Sequence, residues 1–109
     1  GSHCVTHSRL TQCDDQQLEN ELTYSKSFLE DLTGKNINSV AYPYGDTDQR
    51  VVKAAIKAGY SQGASVRFGI NENDHNPLLL SRTDIWAHDD LKIFREKIEG
   101  YWDWMRWLN

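Results

Sequence analysis

Leu18, Leu22, Leu29 and Leu32 fall on one stripe at helical spacing, with polar residues between them. Asp14 or Asp15 is placed to cap the start of that helix and Gly34 to end it. "INSVAYPYG" follows as a short β-favouring run closed by Pro43 and Gly45, the pattern of a strand entering a loop. A second helix is predicted next, with Asp46 or Thr47 as cap, Val51, Val52, Ala55 and Ile56 along one side, and Gly59 as its stop. "YSQGASV" reads as another strand and "RFGINENDHNP" as a polar, turn-rich connection. "LLLSRTDIW" has the pattern of a buried strand, and "HDDLKIFREKIEG" that of a third helix bearing Leu91, Phe94 and Ile98. Strand and helix alternate throughout, which predicts an α/β fold of parallel βαβ units. The terminal "YWDWMRWLN" crowds Trp102, Trp104 and Trp107 together. Because Tyr101, Met105 and Leu108 fit a helical stripe, a short packing helix is favoured there over an aromatic platform for sugars.

Composition narrows the partners. With 109 residues, 1–109 is expected to be a single domain with one modest core. Twelve Lys and Arg against sixteen Asp and Glu give a net charge of −4, so the basic footprint of a nucleic-acid or anionic-membrane binder is missing. No apolar run approaches the roughly 18 residues of a membrane-spanning helix, and no secretory signal is visible. Cys4 and Cys13 match no zinc-cysteine spacing and are expected to be free thiols. The cellular compartment stays open. A Gly-rich phosphate loop and a Gly-x-Ser-x-Gly nucleophile elbow are both missing, so Ser/His/Asp hydrolysis has no support.

What carries chemistry is "GSHCVTHSRL". Gly-Ser-His is also what a cleaved purification tag leaves behind, but Cys4 follows in place of an initiator Met, which favours a native reading. His3 and His7 stand four apart, and from a helical turn two neutral imidazoles at that interval can face one zinc ion at roughly 2.0 to 2.1 Å. Spacing alone is equally met by two solvated or structurally hydrogen-bonded histidines. His75, in the polar loop, is expected to be solvated.

"GSHCVTHSRL" followed by "VAYPYGDTDQRV" closely resembles the polysaccharide deacetylase family, also called the NodB homology domain or carbohydrate esterase family 4. The first stretch is similar to its His-(Ser/Thr)-x-x-His motif and the second to its Arg-x-Pro-(Tyr/Phe)-Gly motif. The intervening helix, "VVKAAIKAGY" and "LLSRTDI" are also similar. The resemblance implies a partial (β/α) barrel, the later portion of a deacetylase domain, because the family's Asp-Asp motif belongs upstream of the histidine motif. On that reading the chain is a fragment, and the carboxylate ligand and the general base are not in it.

For the parent enzyme, the resemblance implies a divalent metal, usually zinc, on His3 and His7 plus an aspartate. The substrate implied is an N-acetylated or O-acetylated polysaccharide or peptidoglycan. It also implies a substrate-contacting loop of Tyr42, Pro43, Tyr44 and Gly45, with the Tyr44 backbone N–H as donor to the developing oxyanion. Three positions depart from the pattern. Ala41 stands where many members carry an Arg that orients the catalytic carboxylate, and Arg82 is the candidate substitute. Cys4 replaces Ser or Thr and, beside a metal, could compete as a ligand. His88 in "WAHD" is the candidate general acid, against the simpler reading of "AHDDL" as a helix start. A non-catalytic relative that binds glycan or a protein is the alternative function. Because a barrel wall without its early strands exposes an edge and apolar helix faces, a twofold dimer through those surfaces is expected.

Overall fold

Short parallel pairings order the molecule, whose residues 1–108 the computed structural model describes. Strand β1 (Ser39–Ala41) pairs in parallel with β2 (Gln62–Ala64) in the register Ser39 to Gln62, Val40 to Gly63 and Ala41 to Ala64. Single bridges extend this on both sides, Ser2 beside Val40 and Leu80 beside Ala64, both parallel. Four chain segments therefore lie side by side in chain order and point the same way. Helix α1 (Asp15–Thr33) makes the first crossover and α2 (Gln49–Ala58) the second, since parallel neighbours cannot be joined by a tight turn. The third connection, from β2 to Leu80, contains no helix. This is an open α/β wall, and its parallel direction gathers the loops after Ser2, β1 and β2 at one end.

The helices start and stop by side-chain chemistry. Asp14 caps α1 with a capping box, its Oδ1 accepting from the Gln17 N–H at 2.8 Å while Gln17 Oε1 accepts from the Asp14 N–H at 3.2 Å, and Gly34 ends the helix. The cap of α2 is Asp48, which accepts from the Val51 N–H at 2.8 Å, rather than Asp46 or Thr47. Asp46 is committed elsewhere: its carboxylate accepts from the Thr11 N–H and hydroxyl. Gly59 ends α2 as expected.

Leu10, Leu18, Leu22, Val40, Tyr42, Val51, Ala55, Tyr60 and Leu78 form the core between the helices and the wall. Only the first half of the α1 stripe reaches it: Leu29 is half-buried, and Leu32 is exposed together with Tyr24 and Phe28. Ser2 is buried, its Oγ bonded to Ser25 Oγ at 2.7 Å and its backbone bonded to Ser39 and Ala41, so it is part of the wall.

The C-terminal quarter departs furthest from its pattern. "LLLSRTDIW" is not a strand beyond the Leu80 bridge; Leu78 and Ser81 are buried, but Ile85 and Trp86 are exposed. Helix α3 (Leu91–Ile98), capped by Asp90, turns its apolar stripe outward, with Leu91 86% exposed and Phe94 and Ile98 also exposed. The buried residue of α3 is Lys97, whose ammonium donates to Asp89 at 2.6 Å and to the Asp84 carbonyl at 3.0 Å and lies 3.8 Å from the Trp86 ring centre. That charge is tolerated inside because it is paired, hydrogen-bonded and placed on an aromatic face. Residues Asp103–Leu108 form a 3-10 helix in which Trp104 and Trp107 are exposed; Trp102, just before it, is half-buried and donates Nε1 to Glu96 at 3.1 Å. Trp104 and Trp107 do not serve as a buried packing helix: like the α3 stripe, they face outward and leave that stripe uncovered. Among the described residues no helix is long and apolar enough to cross a membrane.

Tyr42 ties the wall together. Its phenol, pushed up to about 12 by burial with a smaller contribution from Cys4, donates to the Leu78 carbonyl at 2.8 Å. A side chain at Gly63 would collide with that hydroxyl and meet the Leu78 oxygen at 2.6 Å, so the close approach requires glycine. Tyr42→Phe is expected to lower unfolding stability by about 1 to 2 kcal/mol through the stranded carbonyl, and Gly63→Ala by more. Urea unfolding midpoints check both, and an unchanged midpoint in Tyr42→Phe would contradict the assignment.

Candidate functional site

The site grows from the loop that follows Ser2. This loop is not a helical turn, as the spacing of His3 and His7 had suggested; Cys4 and His7 adopt left-handed backbone conformations, with φ of 63° and 59°. Such angles are unfavourable for non-glycine residues. Glu21 holds the loop in that shape. It projects from α1, buried, and accepts hydrogen bonds from the Val5 N–H at 2.8 Å, the Thr6 N–H at 3.0 Å and the Thr6 hydroxyl. Burial alone would raise its carboxyl, but the bonds from Thr6 and Val5 outweigh it and hold the group below the ordinary glutamate value.

The loop brings the two imidazoles together, ring centres 4.8 Å apart and edge to face. His3 Nδ1 lies 2.6 Å from the Ala41 carbonyl oxygen. A carbonyl only accepts, so Nδ1 carries a proton, and in the neutral ring Nε2 is then the nitrogen with the lone pair. An imidazole whose first nitrogen is bonded to a backbone carbonyl is oriented as metal-ligating histidines are. The pair therefore has the donor chemistry for two ligands of a divalent cation. Among the described residues no third His, Cys, Asp or Glu joins them in a metal-holding group. Cys4 packs against the core, and burial, with Glu21 and Cys13 adding, pushes its thiol up to about 12, so it remains a neutral thiol. Both cysteines are free.

The second loop comes from the end of β1. Pro43 opens a 3-10 turn over Pro43–Gly45, inside which Tyr44 has φ 59°. The Gly45 N–H donates to the Tyr42 carbonyl at 2.8 Å, and Gly45 itself has φ +64°, with Val66 packed where a side chain would stand. The Tyr44 N–H has no hydrogen-bond partner among the described residues. Its ring stands edge-on to His7 at 4.6 Å, so the two loops touch through this contact. Tyr44 is exposed, whereas Tyr42 and Pro43 are fully buried. The expected contact of Tyr42 and Pro43 with substrate is corrected accordingly: they shape the loop from beneath.

Arg82 and His88 are not brought to the imidazole pair by any contact among the described residues. Arg82 donates Nε to the Ser65 carbonyl at 2.7 Å, and His88 lies exposed with its ring tilted over Trp86 at 5.5 Å. His75 is half-buried, its Nδ1 accepting from the Glu72 N–H at 2.8 Å, rather than freely solvated. Glu21 is the site residue that pattern reading missed. Its signal, a glutamate on the buried face of an amphipathic helix, was present in the sequence.

A sequence profile of the polysaccharide deacetylase family matches residues 1–63, which hold both loops. The chain belongs to this family. YxkH of Bacillus subtilis (strain 168), a polysaccharide deacetylase by name, is 27% identical over 84 residues, covering 77% of this deacetylase-family chain and 30% of YxkH. The fold matches that of the Streptococcus pyogenes deacetylase PplD, solved in complex with acetate, with a TM-score of 0.86 at 24% identity over 90% of this chain and 43% of PplD. BC0361, a polysaccharide deacetylase from Bacillus cereus, matches with a TM-score of 0.78 at 29% identity, over 88% of this chain and 30% of its own. The chain thus spans less than half the length of these relatives.

Replacing Glu21 by Gln removes the charge that accepts from Val5 and Thr6 and is expected to cost about 2 kcal/mol at neutral pH. Because the carboxyl is depressed in the folded state, this contribution is fully present above the ordinary glutamate value of 4.5 and is lost as pH falls through the lower folded value. Unfolding of the two proteins across acidic pH should show a stability gap that closes below that value; a pH-independent gap would contradict the clamp.

Proposed function

We propose that the chain carries the two-histidine part of a metal-dependent deacetylase centre that removes acetyl groups from polysaccharide or peptidoglycan sugars. The observation that carries this reading is the His3–His7 pair, with Nδ1 of His3 committed to Ala41, inside the stretch that matches the family. His3 Nε2 and His7 would hold a divalent cation, zinc by similarity to the family. The chemistry such a cation supplies is Lewis acidity toward water and toward the acetyl carbonyl. The remaining carboxylate ligand and the general base are proposed to come from outside residues 1–109.

The chain's own residues do the positioning. Ala41 fixes the His3 tautomer and ring plane, and Glu21 fixes the loop that sets His7 beside it. The Tyr44 N–H, without a partner, is the donor for the negative oxygen that develops when water adds to the acetamide carbon. Gly45 keeps that turn in its left-handed conformation.

Calorimetric titration tests the metal assignment: zinc should give a saturable binding heat with the 109-residue chain and none with a His3→Ala, His7→Ala double variant. Equal affinity in both would remove these residues from the ligand set. The full-length protein should release acetate from chito-oligosaccharides in a chelator-sensitive reaction, and the 109-residue chain should not. Zinc binding without acetate release by the full-length protein would favour a non-catalytic glycan-binding relative.

A further inference from the structure

The ring contacts at the site do not stop at Tyr44. The Arg9 guanidinium carbon lies 4.4 Å from the Tyr44 ring centre, so His3, His7, Tyr44 and Arg9 follow one another in unbroken contact. His7, Ser8, Arg9, Gln12 and Tyr44 line one open depression of about 390 Å³. A guanidinium laid on a ring face keeps its N–H groups directed outward in its own plane, where they remain available as a planar fork of donors.

Those donors are uncommitted. Three other arginines are tied into the fold, Arg50 to Asp15 and to the carbonyls of Thr11 and Cys13, Arg106 to Asp103, and Arg82 to Ser65. Arg67, over the Trp107 ring, and Arg95, on α3, are also without a side-chain bond among the described residues, but neither lines the depression beside His7. Among the described residues the Arg9 guanidinium has neither a hydrogen bond nor a carboxylate within ion-pair distance, although the chain carries an excess of acids and a net charge of −4. The fold therefore leaves one positive fork, laid on the Tyr44 ring beside the imidazole pair, without an anion of its own. A cationic or purely apolar ligand would gain nothing from it.

We propose that Arg9 is a specificity-determining residue that pairs with an anionic group, a carboxylate or a phosphate, on the glycan whose acetyl group reaches His3 and His7. This rests on the deacetylase reading above and adds that the preferred glycan is acidic. A fork-to-anion pair at an exposed site gives a preference of about tenfold over a neutral sugar of the same size, and salt weakens it.

The test titrates the 109-residue chain at low ionic strength with four probes, followed by NMR shifts. Hyaluronan tetrasaccharide carries acetamides and carboxylates, and chitotetraose is its neutral counterpart; N-acetylglucosamine 6-phosphate is set against N-acetylglucosamine. At least one anionic probe should bind about tenfold more tightly than its neutral counterpart, and which one does so identifies the anion. Arg9→Gln should bring the pair to parity while leaving the neutral affinity and the melting temperature unchanged, because the Arg9 side chain is exposed and its structural bonds are made by its backbone carbonyl to Gln12 and Cys13. Parity in the wild-type chain, or a preference that survives Arg9→Gln, would overturn the assignment and leave the deacetylase reading standing. Binding of none of the probes would overturn both.

Discussion

The parallel bridge between Ser2 and Val40 is the constraint on which the site depends. Its two backbone bonds, Ser2 N–H to Ser39 and Ala41 N–H to Ser2, set the register of the first segment against β1. With that register, His3 leaves the wall beside the last residue of β1, and the Ala41 carbonyl is where its ring finds an acceptor. Parallel direction then places the Tyr42–Gly45 turn at the same end as the histidine loop. A slip of one residue would turn Ser2 away from Ser25 and carry His3 past Ala41, because side chains alternate across a strand.

Strain is concentrated where these loops meet. Among the described residues, the three non-glycine residues with left-handed φ, Cys4, His7 and Tyr44, all belong to them. Each such residue costs about 1 to 2 kcal/mol relative to an ordinary conformation. Offsetting this are the buried Glu21 carboxylate with its three bonds, the His3–Ala41 bond and the edge-on packing of His7 against Tyr44. The site is thus oriented by protein contacts alone, which favours binding because little rearrangement has to accompany it. The gathering of strain at one end of the wall agrees with a functional role for that end.

Much of this was legible in the sequence where local chemistry decides it. The α1 and α2 boundaries follow from Asp14, Gly34 and Gly59, and the two strands from short β-favouring runs beside turn residues. The cap of α2 lies one or two residues beyond the expected Asp46 or Thr47, because Asp46, Thr47 and Asp48 are all competent caps; Thr11, distant in sequence, removes Asp46 from the contest. The stripe of Leu91, Phe94 and Ile98 was real but outward-facing, since a helical period shows that one face is apolar and not which neighbour covers it. Tyr42 and Tyr44, one residue apart, were treated alike by motif, yet one is core and the other exposed, a division made by the strand's end and the left-handed turn. The histidine pair was found from its motif, whereas its supports were not: Glu21 lies fourteen residues beyond His7 and Ala41 thirty-eight beyond His3, and only folding brings either to the loop.

Nitrogen-15 NMR of the imidazole rings at mildly alkaline pH tests most directly whether the protein itself sets the histidine pair. Long-range proton–nitrogen correlations should show His3 protonated at Nδ1 and bare at Nε2 without any added metal, with cross-relaxation between the His3 and His7 rings consistent with their 4.8 Å separation. A His3 ring protonated at Nε2, or one averaging between tautomers with no contact to His7, would contradict a pre-set pair.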